Sequence, residues 1–234
     1  MRINKFLSSL GIASRRAIDK YIEEGRIKVN GIIASTGIDV TEEDEIYIDN
    51  KKIETNRIEE KVYFMLNKPL EVLSASSDDR GRKTVVDLIK TDKRIFPIGR
   101  LDYMTSGLIL LTNDGELFNR LVHPKSEIYK KYYIKVFGEV KKEEIEELKK
   151  GILLEDGKTL PAKVSGIKYD KNKTSMYISI REGRNRQIRR MIEKFGYKVL
   201  MLRREKIGEL SLGDLKEGKY RELTREEIEY LYSV

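Results

Sequence analysis

The longest unbroken aliphatic run in this chain is Leu108–Leu111, four residues. A membrane-spanning helix needs roughly 20 apolar residues in succession, so the chain has to fold around a water-excluded core and bury this run inside it as a strand. No covalent or metal staple can help. Cysteine is absent and histidine occurs once, at His123, which removes disulfides, thiol nucleophiles and the usual Cys/His zinc sites together. Without neighbouring ligands His123 is expected to be structural, and no metal site is expected. Any chemistry falls to carboxylates, Lys, Arg, Tyr, Ser or Thr. Hydrophobic residues make up 39% of the 234, enough for one large domain or for a small one and a medium one. Met1–Lys5 leads straight into polar positions with no apolar signal core, which with the lack of cysteine predicts a cytoplasmic protein and no membrane contact.

Lys and Arg number 47 against 39 Asp and Glu, a formal charge of +8, which points to a polyanionic partner. The excess is local. Residues 1–30 hold seven cations (Arg2, Lys5, Arg15, Arg16, Lys20, Arg26, Lys28) against three acids, and residues 181–206 hold ten, Arg184, Arg186 and Arg189 among them, against three. Two separated basic patches suggest two contacts with one polymer, and nucleic acid is the first candidate.

Ile3, Phe6, Leu7 and Leu10 recur at helical spacing, and a second helix is predicted after Ser14, its N-cap, with Ala17, Ile18, Tyr21 and Ile22 buried and Gly25 ending it. Arg26–Val29 reads as a strand, Asn30-Gly31 as a hairpin turn and Ile46–Ile48 as a further strand. The polar stretch 54–61 lacks either periodicity. It is taken as a linker between a module over residues 1–57 and a larger α+β domain over 62–234. In the latter, strands are expected at 62–66, 72–73, 108–112, 132–136 and 176–180, and helices near 116–122, 141–150, 186–195 and 224–232. Thr224 and Glu227 form a capping box for the last helix, with Leu223 and Ile228 as its hydrophobic staple.

Phe96-Pro97-Ile98-Gly99-Arg100-Leu101-Asp102 runs as a loop through Thr105-Ser106-Gly107 into the aliphatic strand and Thr112-Asn113-Asp114-Gly115. An isolated Arg-x-Asp is more often a structural ion pair than a catalytic one. The whole string, however, resembles the signature of the RsuA/RluB/RluE/RluF family of pseudouridine synthases. The N-terminal string from Arg2 through Ser14-Arg15-Arg16 to Val29-Asn30-Gly31 resembles the alpha-L RNA-binding domain, which implies a grip on structured RNA.

The resemblance implies an α+β architecture: a small N-terminal alpha-L domain, then a synthase domain with a mixed, mainly antiparallel sheet. It implies isomerisation of uridine to pseudouridine in ribosomal RNA without a cofactor, with Asp102 as the catalytic aspartate and Arg100 holding RNA near the opened nucleotide. Tyr132, in Tyr129–Val136, would stack on the uracil, although Tyr133 is one residue away. Arg189, in Arg181–Met191, would pair with Asp102 from the polar face of a helix that also carries Arg186, Arg190 and Glu193. Leu202, in Val199–Arg204, would pack on the base, and Met201 stands where many relatives carry Arg or Lys. Gly183–Gln187 favours large-subunit RNA. The expected partner is ribosomal RNA or a precursor ribosomal particle, bound by a monomer. The competing reading is a non-catalytic RNA-binding assembly factor on the same fold, and a nuclease would need a carboxylate cluster that the sequence does not offer.

Overall fold

The computed structural model describes residues 1–56, 59–123 and 126–234, so Arg57, the expected end of the N-terminal module, and Pro124 lie outside the described residues. Two compact units are present. One comprises Met1–Val62 with Thr91–Arg94 and Asn113–Gly115, the other Tyr63–Lys90, Ile95–Thr112 and Glu116–Val234.

In the first unit, helices α1 (Ile3–Ser9) and α2 (Arg15–Glu23) accompany a four-stranded sheet of order β2-β1-β3-β4. Its strands are β1 (Ile27–Val29), β2 (Ile32–Ile33), β3 (Ile46–Ile48) and β4 (Lys51–Lys52). The local chemistry explains the boundaries. Ser14 Oγ accepts the Ala17 amide at 3.0 Å and so satisfies one of the donors that a helix start leaves unpaired. At the other end Gly25, at φ +67°, turns the chain while the Arg26 amide returns to the Tyr21 carbonyl. Asn30 and Gly31 both take positive φ, the geometry of a two-residue hairpin. Ile3, Phe6, Leu7, Ile18, Ile22, Ile27 and Ile46 make an all-aliphatic and aromatic core.

The second unit is built on a nine-stranded sheet whose main path is β11-β12-β8-β13-β7-β5-β15. Its strands are β5 (Tyr63–Lys68), β6 (Phe96–Ile98), β7 (Ser106–Thr112), β8 (Lys130–Phe137), β11 (Lys163–Tyr169), β12 (Lys173–Ile180), β13 (Lys198–Ile207), β14 (Leu210–Ser211) and β15 (Tyr220–Glu222). A separate hairpin pairs β9 (Leu153–Leu154) with β10 (Gly157–Lys158). The helices are α3 (Gly115–Val122), α4 (Lys142–Lys150), α5 (Gln187–Glu193) and α6 (Arg225–Ser233). Among the described strands of this sheet only β13 and β7 run parallel, so the sheet is mixed and mainly antiparallel as expected.

Every residue of β7 is buried, which is why Leu108–Leu111 reads as a continuous apolar run without alternation. Thr224 and Glu227 cap α6 reciprocally, and Leu223 and Ile228 share the core with Leu108 and Leu110. The expected strand at 72–73 is only an isolated bridge from Leu73 to Thr84, and α5 stops at Glu193, before Phe195, as the chain turns through Gly196 at φ +81°. Strands β6, β11 and β13 were not anticipated, because β6 carries a proline, β11 is a polar edge strand and β13 is interrupted by two bulges.

Candidate active site

Asp102 lies in the loop that joins β6 to β7, half-buried, and this loop is held from several sides. Ser74 Oγ donates to the Leu101 carbonyl at 2.9 Å and accepts the Leu101 amide at 3.0 Å. The Glu71 amide donates to the Tyr103 carbonyl at 2.8 Å, and the Thr105 amide closes a turn onto the Asp102 carbonyl at 3.0 Å. Main-chain atoms on both sides of the carboxylate are therefore fixed. Tyr103 and Met104 remain exposed.

Lys68, at the end of β5, is fully buried and donates Nζ to the carbonyls of Pro69 and Val72 at 2.9 and 2.8 Å, holding the turn that carries Glu71 and leads to Ser74. Burial lowers its ammonium from the usual lysine range to about 8, against the attraction of Asp102 and Glu217. Arg189, expected on the polar face of α5, is buried, unlike Arg186 of the same expected face, which is exposed. Five of the seven residues of α5 are buried, and the arginine's Nη2 donates to the Met104 carbonyl and, at 3.4 Å, to Thr105 Oγ1. No ion pair joins it to Asp102. The two attract at longer range, while burial first and Arg186 second lower the guanidinium's affinity for its proton. Arg189 Nε is buried without a hydrogen-bond partner among the described residues.

Tyr132 and Leu202 occupy the inner face of the sheet, both buried, on the adjacent strands β8 and β13. Arg204 lies opposite Tyr132 on that face, two residues after Leu202. Its Nε donates to the Leu108 carbonyl at 2.7 Å, Nη1 lies 3.5 Å from the Tyr132 hydroxyl, and Nη2 is buried without a hydrogen-bond partner among the described residues. Close approach of β13 to β7 is what puts it there. A Cβ added at Gly107, at φ +108°, would fall 2.2 Å from the Arg204 carbonyl oxygen, so only glycine fits the Thr-Ser-Gly position. Tyr133 points to the opposite face of the sheet.

Lys68, Ser74 and Arg204 were missed by sequence reasoning. The available signals were a charged residue ending the apolar strand Tyr63–Leu66, and an Arg two positions from Leu202 and hence on the same side of a strand. Arg100 is exposed and, among the described residues, makes no hydrogen bond or ion pair.

The other basic candidates divide. Lys5, Arg15 and Arg16 are exposed and unpaired among the described residues, and Lys28 is exposed with Asn50 Oδ1 at 3.4 Å. Arg2 bonds the Gly37 carbonyl, Lys20 sits 3.7 Å from Glu24, and Arg26 grips Asp49 and Glu24 while stacking on Tyr21 at 4.1 Å. Arg186 reaches Glu193 at 3.5 Å. Arg184, expected to contact RNA, is half-buried and bonded within the domain. Its guanidinium bonds Glu182 and the carbonyls of Asp156, Gly157 and Lys158, so it ties the β9–β10 hairpin to the segment before α5. Gln187, which is buried, donates Nε2 to Glu182 Oε1 at 2.6 Å.

The site thus combines a fixed carboxylate in a loop, buried cations around that loop, and an aromatic and a leucine on neighbouring strands. A family model described as RNA pseudouridylate synthase matches residues 62–194, and one described as S4 domain matches residues 1–46. The chain belongs to the RNA pseudouridylate synthase family. This synthase is 49% identical to the ribosomal large subunit pseudouridine synthase B of Bacillus subtilis (strain 168), over 98% of this chain and 95% of that protein. It is 37% identical to the dual-specificity RNA pseudouridine synthase RluF of Escherichia coli (strain K12), over 100% of this chain and 79% of that one. A pseudouridylate synthase crystal structure matches with a TM-score of 0.70 at 34% identity, covering 99% of each chain. The family expectation and the N-terminal RNA-binding domain are thereby borne out.

Proposed function

We propose that this synthase isomerises a uridine of large-subunit ribosomal RNA, with Asp102 as the reacting carboxylate. The bond from ribose C1′ to uracil N1 breaks, the base turns, and C5 takes the place of N1. The C5 hydrogen leaves to solvent, and N1 gains a proton. The observation that carries this reading is the fixation of the Asp102 loop, with Ser74 bonded to Leu101 and Arg189 to Met104. Holding a carboxylate's backbone on both sides is worth much to a reaction that depends on approach geometry and little to passive binding.

The uridine reaches Asp102 by flipping out of its stack, at a cost of a few kcal/mol that contact with Tyr132 and Leu202 partly offsets. Arg204 and Arg189 supply fixed positive charge beside the reacting centre, and Arg100 meets the RNA at the mouth of the site. The N-terminal domain grips structured RNA through Lys5, Arg15, Arg16 and Lys28, the cations its own acids leave free. Large-subunit RNA is the substrate on the strength of the Bacillus relative's name and 49% identity.

Tritium release from ribosomal RNA labelled at uracil C5 tests this, with wild type and Asp102→Ala and with RNA binding measured alongside. The expected result is release by wild type alone and equal binding by both. Binding by both proteins with release by neither would favour the assembly-factor reading.

A further inference from the structure

The outer face of the sheet carries a feature that the isomerisation does not use. Along β8 the side chains alternate between the two faces. Tyr132 and Ile134 are buried on the catalytic side, whereas Lys131, Tyr133 and Lys135 are half-exposed on the other. Strand β12 repeats the alternation, and the register aligns its outward residues with those of β8: Ser179 with Lys131, Tyr177 with Tyr133, Ser175 with Lys135. The outward residues of β8 and β12 are half-exposed, and Lys163, Ser165 and Lys168 of β11 and Arg203 and Lys206 of β13 are exposed.

Three adjoining rows cross this face. The first runs Lys163, Ser179, Lys131, Lys206; the second runs Ser165, Tyr177, Tyr133, Arg203; the third brings Lys168 and Lys135 to either side of Ser175. The solvated face of an antiparallel sheet ordinarily mixes signs, because opposite charges across strands stabilise the sheet and like charges directly opposite destabilise it. Here Lys131 and Lys206 are directly paired. Among the described residues none of these lysines has an acidic partner, and the acid that neutralises part of the face is Glu205, bonded to Arg203.

The aromatic rings are interleaved with the cations. Tyr133 and Tyr177 meet edge to face at 5.6 Å, Lys131 Nζ lies 4.2 Å from the Tyr177 ring centre, and Lys163 Nζ lies 3.9 Å from that of Tyr129, which shares the outward parity. Lysines held over ring faces are poised to exchange a ring for a phosphate, and the uncovered ring for a base. Stacked bases with neutralised phosphates are what an unpaired RNA strand offers; an acidic protein offers the charge without the stacking.

We propose that this outer face is a second RNA-binding surface, distinct from the catalytic cleft and from the N-terminal domain, which takes an unpaired RNA segment by stacking on Tyr133 and Tyr177 and by pairing phosphates with Lys131, Lys135 and Lys163. Even if the chain does not isomerise uridine, the proposal stands or falls on its own binding measurement.

The test is fluorescence anisotropy of the full chain with a labelled 12-nucleotide oligouridylate over a range of salt, comparing wild type with the triple variant Lys131→Gln, Lys135→Gln, Lys163→Gln. Thermal unfolding serves as the fold control. Polyglutamate of matched charge serves as competitor, and a 4-thiouridine version of the oligonucleotide reports the contact by photocrosslinking. Removing three phosphate-neutralising charges from a single-strand site should weaken binding at least tenfold and reduce the salt slope by about 2, near 0.7 for each. Crosslinks should map to Tyr133 or Tyr177. An unchanged salt slope, crosslinks confined to the cleft or the N-terminal domain, or equal competition by polyglutamate would overturn the proposal. Crosslinks at Tyr133 or Tyr177 in a wild type that releases no tritium would keep the outer face and remove the isomerase reading.

Discussion

The N-terminal residues 1–56 and the synthase domain handle charge in opposite ways. Among residues 1–56 no charged side chain is buried, and the core is Ile, Phe, Leu, Val and Ala. In the synthase domain Lys68, Arg189 and Arg204 are buried, and they surround or support the loop of Asp102. A domain that recognises the RNA backbone can keep its cations on the surface, where exchanging one costs little. A domain that must fix a carboxylate has to build polar groups into its interior, where each needs partners and each carries a desolvation cost. Arg189 Nε and Arg204 Nη2, buried without a hydrogen-bond partner among the described residues, show where that internal bonding is incomplete.

The sharpest way to break the contrast is to disturb the strand contact that seats Arg204. Gly107→Ala should destabilise the protein by about 3 kcal/mol or more, because the new methyl meets the Arg204 backbone and the position demands positive φ. Urea unfolding measures this, and a loss below about 1 kcal/mol would mean that β7 and β13 separate easily. Next is pH. The Lys68 ammonium titrates near 8 when folded and near the ordinary lysine value when unfolded, so between these the unfolded chain binds more protons. Unfolding free energy should therefore carry a Lys68 contribution that rises with pH from about 8 to 10.5, by up to about 3 kcal/mol. Lys68→Met should lack that contribution, and identical pH profiles for the two proteins would refute it.

Arg189→Gln tests whether a buried cation serves chemistry or folding. The expected result is a drop in kcat of about 100-fold, about 2.7 kcal/mol in the barrier, with RNA affinity changed less than about twofold. A matching loss of affinity would move Arg189 to the RNA contact. The smallest effect belongs to the N-terminal unit. Arg15→Gln with Arg16→Gln should leave stability within about 0.5 kcal/mol. The salt dependence of RNA binding should become shallower by about 0.9 for each duplex phosphate that is no longer neutralised. Unchanged salt dependence would mean that this domain holds RNA elsewhere.

Much of the domain plan was legible in the sequence because the relevant signals are local. Ser14, Gly25, Asn30-Gly31 and the Thr224–Glu227 box act within four residues of where they stand, and each is found in the expected geometry. The loop of Asp102 and the strand after it were legible as a string of residue types. Strand β11 was not, since this edge strand, Lys-Val-Ser-Gly-Ile-Lys-Tyr, has no fully buried position and its register shifts between Ser165 and Lys168, which breaks the alternation.

By itself, then, the sequence determined the family, the two-part organisation and which residue types are available for chemistry, since composition, capping and motif order are properties of neighbouring positions. The tertiary structure decided the surroundings of Asp102. Residues from 85 positions away in the chain reach its loop, as Arg189 does at Met104, and pairing of β13 with β7 and β8 turns Arg204 inward and Arg203 outward. It also decided that Arg184 would secure a turn while Arg100 stayed exposed. Helical and strand periodicity assigns a side chain to a face, but what lies against that face depends on which distant elements pack there, and the physical work of burial and pairing is done only once they meet.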